Sequence, residues 1–566
     1  MPTRREVIQQ LAAVTVGGPL VRTARGLLAA GAPRLAVPSE AQRAWQDLEL
    51  GMFVHFAPNT WQEKEYDDLS LAPDAVMSTI DPTQWADTAV ALGARYVVLV
   101  AKHVGGFCLW QTESTDYGIR GSPWRDGHGD VMAELASACA SRGLKLGVYL
   151  SPRDDKHGAG LSGRCATPEA QAEYDALYRR QLTELLTRYG PITELWLDGS
   201  SVVPTGDLLA QHAPDAMVFQ GPQATIRWVG TEDGFAPYPC WNAVAAQDAG
   251  SGVATALHGD PEGDVWMPVE VDVSIRRPNW FWSTTNETNL LPLDDLIEIY
   301  YRSVGRGAQL LLNMPPDRTG RIPAADAARA KEFGDEIRRR FERPVAETPG
   351  IGREQLLSFA APQRIDHVVL QEEVARGERV RGWRLDGMSW GHWQQIGAGS
   401  AIGHKRILPV RPDGYTMLRL RVTDAQGDPL IRSFAAFNVG SAPPRSWPDP
   451  VSLWAEDAVG GWTGDSLSLD LTAKVPFAAT YRLRLVAEDG SPVQLRDLDL
   501  RIDQTGQPTL ARFAPGRSDI VLLTMPVAGR TVTLRARVRG AARGTALLRR
   551  RSVADMNRTV AVFLLL

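Results

Sequence analysis

The sequence predicts an α/β protein in which a (β/α)8 barrel is followed by two β-sandwich domains. The chain has 566 residues, well beyond the ~150 that serve as a guide for one domain. Up to about residue 344, short apolar runs alternate with helical patterns, which is typical of a parallel sheet. After Pro344, alternating strands are separated by Gly, Pro and Asp-Gly turns. We therefore expect a catalytic barrel over 38–344, a β-sandwich over 345–440 and a second β domain over 441–566.

The predicted barrel contains eight strand-like runs, at 52–55, 96–102, 146–150, 195–198, 217–220, 227–230, 266–271 and 309–313. Helical patterns lie between many of them, at 82–92, 130–141, 168–188, 293–304 and 324–340. The pattern at 168–188 places Tyr174, Tyr178 and Leu185 on one face, as a helical period requires. Residues 200–290 contain few clear helices, so we do not expect a perfectly regular barrel.

The predicted β domains carry shorter, alternating runs, at 367–371, 380–385, 417–422, 480–486, 520–525 and 531–539. Trp383, Trp390 and Trp393 lie in or near these runs and are candidates for a sugar-stacking platform. Buried tryptophans are equally common in sandwiches, so both interpretations stay open.

Composition excludes several classes of protein. The chain has 61 Lys and Arg against 66 Asp and Glu, which gives a net charge of −5 and no basic surface for nucleic acid. No run beyond the N-terminal region approaches the ~18 consecutive apolar residues of a membrane-spanning helix. Tryptophan is unusually frequent, with 17 residues against 14 phenylalanines, and flat indole rings suit the apolar faces of sugars.

The N-terminus predicts export from the cytoplasm. Arg4-Arg5 precedes a weakly apolar stretch at 11–21 and the small residues 30–32, an order that resembles a twin-arginine signal. We expect residues 1–37 to be this signal and the mature protein to be periplasmic or extracellular. A frayed N-terminal helix is the alternative.

Polar residues terminate most of the predicted barrel strands, where barrel enzymes place their reactive groups. In chain order these residues are His55, His103, Tyr149, Asp198, Gln220, Glu232, Glu270 and Asn313. Convergent carboxyl groups among tryptophans match glycoside hydrolysis, in which one carboxylate attacks the sugar and a second carboxyl protonates the leaving oxygen. Helix caps and ion pairs are the structural alternatives for each residue. No metal-ligand spacing, dinucleotide fingerprint or phosphate loop is present, so we expect no metal and no cofactor.

The motifs of the barrel resemble one family over its whole length and in the same order. They include GMFVHF at 51–56, AKHVGGF at 101–107, GVYLSP at 147–152, ELWLDG at 194–199, RWVGTE at 227–232 and EVDVSIR at 270–276. Together they resemble glycoside hydrolase family 29, the α-L-fucosidases. The resemblance implies a metal-independent, retaining exo-hydrolase that removes terminal α-L-fucose from an oligosaccharide or glycoconjugate by double displacement.

The resemblance also implies roles for individual residues. Asp198 matches the nucleophile, and Glu232 matches the general acid/base of the branch that acts on α-1,3- and α-1,4-linked fucose. Glu270, another carboxyl at a predicted strand end, is the rival for the acid/base role. The working carboxyl groups of a retaining enzyme lie ~5 to 5.5 Å apart. The matches to residues that hold fucose are His55, Glu65, His103, Tyr149 and Trp196.

Four positions depart from the family pattern. The usual Lys-His-His-Asp-Gly-Phe motif has Val104 and Gly105 in place of its second His and its Asp, Arg153 replaces a Trp, and Thr231 replaces the usual Asn. These changes predict an altered preference for the aglycone or for a related sugar. The alternatives are an exo-glycosidase for a fucose-like sugar such as an α-L-galactoside, and a carbohydrate-binding barrel without hydrolytic activity.

Overall fold

A computed structural model describes residues 35–246, 249 and 258–441, together with the backbone of strands between residues 459 and 565. Nearly all of the predicted export signal, residues 1–34, lies outside the described residues, as do residues 442–458. Among the described residues, no helix has both the length and the apolar character needed to span a membrane.

The first ten strands belong to the N-terminal part of the chain. They are β1 (Leu50–Val54), β2 (Tyr96–Lys102), β3 (Lys145–Leu150), β4 (Ile192–Trp196), β5 (Met217–Phe219), β6 (Arg227–Trp228), β7 (Ala243–Val244), β8 (Val265–Trp266), β9 (Val269–Ser274) and β10 (Gln309–Asn313). Eight of them form one parallel sheet in the order β5-β4-β3-β2-β1-β10-β9-β6. A parallel bridge between Phe219 and Ile226 joins the two ends of this sheet and closes the barrel. The predicted (β/α)8 fold class is confirmed.

Helices connect most of these strands. They are α1 (Glu40–Gln46), α2 (Asn59–Gln62), α3 (Pro82–Leu92), α4 (Val131–Ser141), α5 (Pro168–Arg188), α6 (Gly206–His212), α7 (Leu293–Arg302) and α8 (Ala324–Phe341). Side chains cap three of the predicted helices: Asp81, Asp130 and Thr167 each accept a hydrogen bond from a backbone N–H in the first turn. These caps satisfy donors that a helix cannot pair internally, which is why the helix starts are readable from the sequence.

One predicted strand differs from the structure in a way that affects the site. The run predicted at 266–271 is two strands: β8 pairs antiparallel with β7, and β9 is the barrel strand, ending at Ser274 instead of residue 271. Pro268 separates the two strands, and proline cannot donate a hydrogen bond to a sheet. Glu270 therefore lies near the start of β9, and not at its C-terminal end.

A six-stranded antiparallel sheet follows the barrel. Its strands are β11 (Ala346–Ile351), β12 (Glu354–Glu372), β13 (Val380–Ser389), β14 (His392–Gly399), β15 (Arg406–Ala425) and β16 (Leu430–Phe437). They pair in the order β11-β16-β12-β15-β13-β14 and bury an apolar core of their own. Trp383 is part of this core, whereas Trp390, at the turn between β13 and β14, is 88% exposed.

Polar contacts attach this sheet to the barrel. Asp47, after α1, is bonded to His404 at 2.8 Å and to Arg432 at 2.6 Å, and these two partners hold its pKa below the usual value despite partial burial. The Glu378 carboxylate accepts hydrogen bonds from the backbone and the side chain of Asn242 at 2.9 and 2.7 Å. Asn242 lies in the segment that follows β6, so the sheet supports a loop region of the barrel.

The backbone of the C-terminal region forms further sheets, which are antiparallel except for one parallel pair of strands. The strands are β17 (Val459–Thr463), β18 (Ser466–Asp470), β19 (Ala473–Val475), β20 (Ala479–Leu485), β21 (Gln494–Ile502), β22 (Ala511–Phe513), β23 (Ile520–Met525), β24 (Arg530–Arg539), β25 (Leu548–Val553) and β26 (Val560–Leu565). They are grouped in sheets of two, three and five strands.

Candidate active site

A cavity of about 300 Å³ lies at the C-terminal ends of the barrel strands. Its lining combines carboxyl, imidazole and aromatic groups: Phe53, His55, Glu65, Tyr66, His103, Val104, Tyr149, Trp196, Asp198, Phe219, Gln220, Trp228, Glu232, Asp272, Pro278 and Trp280. All the barrel site residues named from the sequence lie in this lining except Glu270 and Asn313. Parallel strands end at one rim, which explains how residues far apart in the chain meet there.

Asp198 follows β4 and is held in a fixed position. The Tyr149 hydroxyl donates to its Oδ2 at 3.2 Å. Burial raises the pKa of Asp198, while the hydrogen bonds from Tyr149 and from the Gly199 backbone oppose that rise. Gln220, at the end of β5, accepts from the backbone N–H groups of Gly199 and Ser200 at 2.7 and 3.2 Å, and so fixes the turn that carries Asp198.

Glu232 lies in the loop after β6 and lines the same cavity as Asp198. Burial raises its pKa, and the charges of Asp198 and Glu65 raise it further, whereas a hydrogen bond accepted from the Trp280 side chain and the charge of Arg277 act in the opposite direction. Arg277 forms an ion pair of 2.6 Å with Asp233, the neighbour of Glu232. A carboxyl with a raised pKa holds a proton that it can deliver to a leaving group.

The tautomer of His55 follows from its partner. The Asn313 side-chain nitrogen donates to Ser274 Oγ at 3.0 Å and to the Trp280 carbonyl at 2.8 Å, so Asn313 Oδ1 must be the atom that faces His55 Nδ1 at 2.8 Å. An amide oxygen only accepts, so Nδ1 carries the proton. Burial and the neighbouring His103 keep the pKa of His55 well below its usual value. Its Nε2 is therefore an acceptor for a sugar hydroxyl.

His103, after β2, is also a neutral imidazole. Burial lowers its pKa to about 3, and the positive charge of Arg153 contributes to that shift. Its ring stacks on Tyr149 with centroids 5.8 Å apart and lies 6.0 Å from the ring of His55. Two uncharged imidazoles can hold sugar hydroxyls across the ordinary pH range without adding charge beside the carboxyl groups.

Glu65 connects the loop after α2 to the opposite rim. Its carboxylate accepts from the side chain of Asn279 at 2.9 Å and from the backbone N–H of Trp280 at 3.0 Å. These bonds place the adjacent Tyr66 at the cavity, where it remains 64% exposed. The Arg153 guanidinium lies 5.7 Å from the centre of the Tyr66 ring and pairs with Asp155 at 2.7 Å.

Trp196 contributes its ring and not its indole N–H to the cavity. The N–H donates to Glu194 Oε1 at 2.6 Å, away from the lining groups, and the ring stacks on Phe219 at 3.5 Å. The Trp196 ring therefore offers a sugar an apolar face without a hydrogen bond.

Glu270 does not line the cavity. It is fully buried beside Glu194, and it accepts from the Tyr96 hydroxyl at 3.2 Å through Oε2. Burial and the charge of Glu194 raise the pKa of Glu270 well above its usual value, and a hydrogen bond joins the two carboxyl groups. The structure thus places the two acid/base candidates from the sequence in different layers of the barrel.

Asp272 is a cavity residue that the sequence analysis missed. It lies on β9, is 4% exposed, and accepts from the Trp228 indole N–H at 2.6 Å through Oδ1. Burial and the charges of Glu232 and Asp198 raise its pKa well above the usual value. The strict alternation of VEVDVSI over 269–275, with polar residues at every second position, was the available signal.

The departures at 104 and 105 have different structural consequences. Val104 lines the cavity as a buried apolar side chain. A Cβ added to Gly105 would lie 2.4 Å from Asp67 Oδ2, so the Asp67 carboxylate occupies the space above this glycine. Tyr117 and Gln62 each donate to that carboxylate at 2.7 Å. The loop that carries Tyr66 therefore packs where a larger residue at 105 would project.

Groups that could hold a metal are already engaged with one another. Asp154 is bonded to Lys102 at 2.8 Å and to His157 at 2.9 Å. Among residues 35–246, 249 and 258–441, no cluster of three or more His, Cys, Asp or Glu side chains is arranged to bind a metal ion.

Comparison with known proteins gives a consistent result. A family profile described as Alpha-L-fucosidase matches residues 59–340. Alpha-L-fucosidase 1 of Arabidopsis thaliana is 33% identical over 450 residues, which cover 70% of this chain and 87% of that protein. The human plasma alpha-L-fucosidase is 24% identical over 304 residues, covering 51% of this chain and 60% of that protein.

Solved structures share the fold. A glycoside hydrolase 29 family member from an unknown rumen bacterium is 29% identical with a TM-score of 0.68, over 89% of this chain and 96% of that one. A Ruminococcus gnavus GH29 fucosidase in complex with fucose is 25% identical with a TM-score of 0.64, over 72% and 97% of the two chains.

A parallel barrel whose strand ends gather paired carboxyl groups and aromatic rings defines a glycoside hydrolase. Within that class, the sequence identities and the shares of the chains that are covered identify the family. The chain belongs to the α-L-fucosidases of glycoside hydrolase family 29.

Proposed function

We propose that this α-L-fucosidase is a retaining exo-hydrolase that releases terminal α-1,3- or α-1,4-linked fucose, with Asp198 as nucleophile and Glu232 as general acid/base. The observation that carries the proposal is that these two carboxyl groups line one cavity while Glu270 does not. The branch preference rests on the RWVGTE motif that contains Glu232.

The first chemical step uses the two carboxyl groups in opposite protonation states. The ionised Asp198 attacks the anomeric carbon, the glycosidic bond breaks, and Glu232 gives its proton to the departing oxygen. The hydrogen bond from Tyr149 favours the ionised form of Asp198. The charges of Asp198 and Glu65 favour the protonated form of Glu232. These interactions act in the directions that the first step requires, and for Asp198 they oppose the burial that raises its pKa.

The second step reverses the proton transfer. Glu232, now ionised, takes a proton from water, and that water displaces Asp198 from the anomeric carbon, so the released fucose keeps its α configuration. The cavity volume of about 300 Å³ is at the small end of ligand sites, as expected for a pocket that holds one terminal sugar.

The experiment is a release assay followed by NMR. The full chain is incubated with a Lewis-type α-1,3/4-fucosylated trisaccharide, with α-1,2-fucosyllactose and with aryl α-L-fucosides. We expect release from the trisaccharide and none from the α-1,2 substrate, with α-fucose as the first anomer seen by ¹H NMR. First appearance of the β anomer would contradict the retaining mechanism, and release from the α-1,2 substrate alone would contradict the branch preference.

The absence of the family's histidine at position 104 is the reason to test a second candidate substrate, a fucose-like sugar, within the same chemistry. Val104 presents an apolar wall where the family pattern has a histidine. An aryl α-L-galactoside added to the assay tests this alternative: a higher kcat/KM on the galactoside than on the fucoside would assign the enzyme to that sugar.

We also propose export through the N-terminal segment, on the basis of Arg4-Arg5 and the apolar stretch that follows. Replacing both arginines with lysine should retain the protein in the cytoplasm, which cell fractionation would detect.

A further inference from the structure

Asp272 differs from Glu270, the other buried carboxyl group of β9, in lining the cavity. Oδ1 is occupied by the Trp228 indole N–H at 2.6 Å. No hydrogen bond to Oδ2 is formed among the described residues, and the residue lines the cavity. A carboxyl oxygen that borders a cavity and has no protein donor has hydrogen-bonding capacity left for a ligand.

The strand geometry directs Asp272 toward the same space as the proposed catalytic pair. Val271 and Val273 belong to the apolar layer outside the barrel sheet, and Asp272 lies between them, on the opposite face. Asp198, Glu232 and Asp272 all line the cavity, and the charges of the first two act on Asp272.

We propose that Asp272 is a specificity-determining residue, whose Oδ2 binds a ring hydroxyl of the terminal sugar while Oδ1 fixes the Trp228 ring against that sugar. The inference rests on the proposed function and adds to it a residue of β9 that binds a hydroxyl group of the sugar. A sugar hydroxyl both donates and accepts, so it can pair with either protonation state of the carboxyl.

The Trp228 contact explains why an acidic residue is suited to this position. An indole N–H only donates, and a carboxyl oxygen accepts from it at a short distance. The same group then has a second oxygen about 2 Å away for the ligand. Asparagine preserves both functions in neutral form, since its oxygen accepts from Trp228 and its nitrogen donates to a hydroxyl.

The test measures kcat/KM for Asp272→Ala, Asp272→Asn and Trp228→Phe on an aryl α-L-fucoside and on its 2-, 3- and 4-deoxy analogues. We expect Asp272→Ala to lose about 10- to 100-fold on the parent sugar. One of the three deoxy analogues lacks the hydroxyl that Asp272 binds. On that analogue, the kcat/KM of Asp272→Ala should be less than about threefold below that of the unmodified enzyme. Asp272→Asn should retain most of the parent activity.

Two results would overturn the inference. Equal losses on all four substrates would mean that Asp272 acts only through the barrel structure. A Trp228→Phe variant with the same substrate profile as Asp272→Ala would mean that Asp272 acts only by positioning the indole. Glu270→Gln, on the same face of the same strand but outside the cavity, is the matched control and should show neither pattern.

The outcomes also separate this inference from the proposed function. If the unmodified enzyme does not cleave the parent fucoside, the proposed function fails. If the unmodified enzyme cleaves the parent fucoside and Asp272→Ala is as active as the unmodified enzyme on every substrate, only the role of Asp272 fails. Thermal unfolding of each variant identifies misfolding, and in that case Asp272→Asn, which conserves size and hydrogen bonding, still reports the deoxy-sugar profile.

Discussion

Buried carboxyl groups lie in two layers of the barrel, and the layers differ in their access to the cavity. The lower layer contains Glu194 and Glu270, and the upper layer, which lines the cavity, contains Asp198, Glu232 and Asp272. In the lower layer, Glu194 accepts from the indoles of Trp45 and Trp196 at 2.6 Å each, and Glu270 accepts from Tyr96. In the upper layer, Asp198 has one side-chain donor, Tyr149, and Asp272 has one, Trp228. Glu194 has an indole donor on each oxygen, and neither lower carboxyl group lines the cavity, whereas Asp198 and Asp272 both line it.

The two layers come from the same strands. Glu194 is on β4 and Asp198 follows it, while Glu270 and Asp272 are two residues apart on β9. Burial alone therefore does not identify a functional carboxyl group in this barrel. Access to the cavity does, because a carboxyl group can bind a ligand only where the ligand can reach it.

The largest effect is expected at Asp198. Asp198→Ala should lower kcat on the order of 10⁴-fold, because the nucleophile is lost. Added azide should restore turnover and give a fucosyl azide of inverted configuration, which NMR can assign. If hydrolysis persists without azide, the nucleophile is another residue and the upper layer has been misassigned.

The next largest effect is expected at Glu232, and a comparison with Glu270 distinguishes the two layers. Glu232→Ala should lower kcat about 10²- to 10⁴-fold on a substrate with a poor leaving group, since protonation of the leaving oxygen is lost. Azide should then give a fucosyl azide of retained configuration. Glu270→Gln should stay within about threefold of the unmodified enzyme, given its place below the cavity. The reverse ranking would exchange the roles of the two residues.

The carboxyl groups of the lower layer should make the stability of the protein depend on pH without affecting catalysis. A hydrogen bond joins Glu194 and Glu270, and the pKa of each carboxyl is raised by burial. The folded state therefore holds a proton that the unfolded chain releases above the ordinary pKa of glutamate. The contribution of this pair to the free energy of unfolding is fully present below the ordinary pKa of glutamate. It is lost as pH rises through the raised pKa, at up to about 1.4 kcal/mol per pH unit for one proton.

Urea unfolding at pH 5 and pH 8 measures this loss. Glu270→Gln keeps a neutral donor next to Glu194 and should lose less stability than the unmodified protein between the two pH values. An identical loss in both proteins would show that the pair shares no proton.

The smallest effect is expected at the rim. Tyr66 is 64% exposed beside Arg153, so its ring is available to the sugar that carries the fucose. Tyr66→Ala should raise KM for a fucosylated trisaccharide about 3- to 10-fold, the value of one aromatic stacking contact, and Tyr66→Phe should leave it unchanged. Steady-state kinetics on the trisaccharide would check this, and equal KM values for Tyr66→Ala and the unmodified enzyme would exclude the contact.

The sequence was informative about the upper layer because strand ends in a parallel barrel converge whatever the chain does between them. His55, His103, Tyr149 and Asp198 were predicted on that ground, and they lie in one cavity. Asp272 was missed for a local reason. The apolar run before Pro268 was read as part of the barrel strand, which shifted the expected strand end and placed Glu270 at the rim.

Contacts made across long sequence separations were not predictable. The space above Gly105 is filled by Asp67 from another loop, and Trp45 of α1 donates to Glu194 across the barrel interior. Such pairings depend on the three-dimensional packing of groups that no local pattern connects. The same limit applies to the exposure of Tyr66, which follows from the bonds of the adjacent Glu65.

The bond between Asn242 and Glu378 has a consequence for engineering. Asn242 lies ten residues after Glu232 in the chain, and the neighbouring Tyr238 donates its hydroxyl proton to the Ala401 carbonyl at 3.0 Å. A fragment ending at Pro344 would strip both residues of these partners beside the proposed acid/base loop. The shortest segment suitable for transplantation into a fusion enzyme therefore extends to about Ser441, with the six-stranded sheet serving as a scaffold for the barrel.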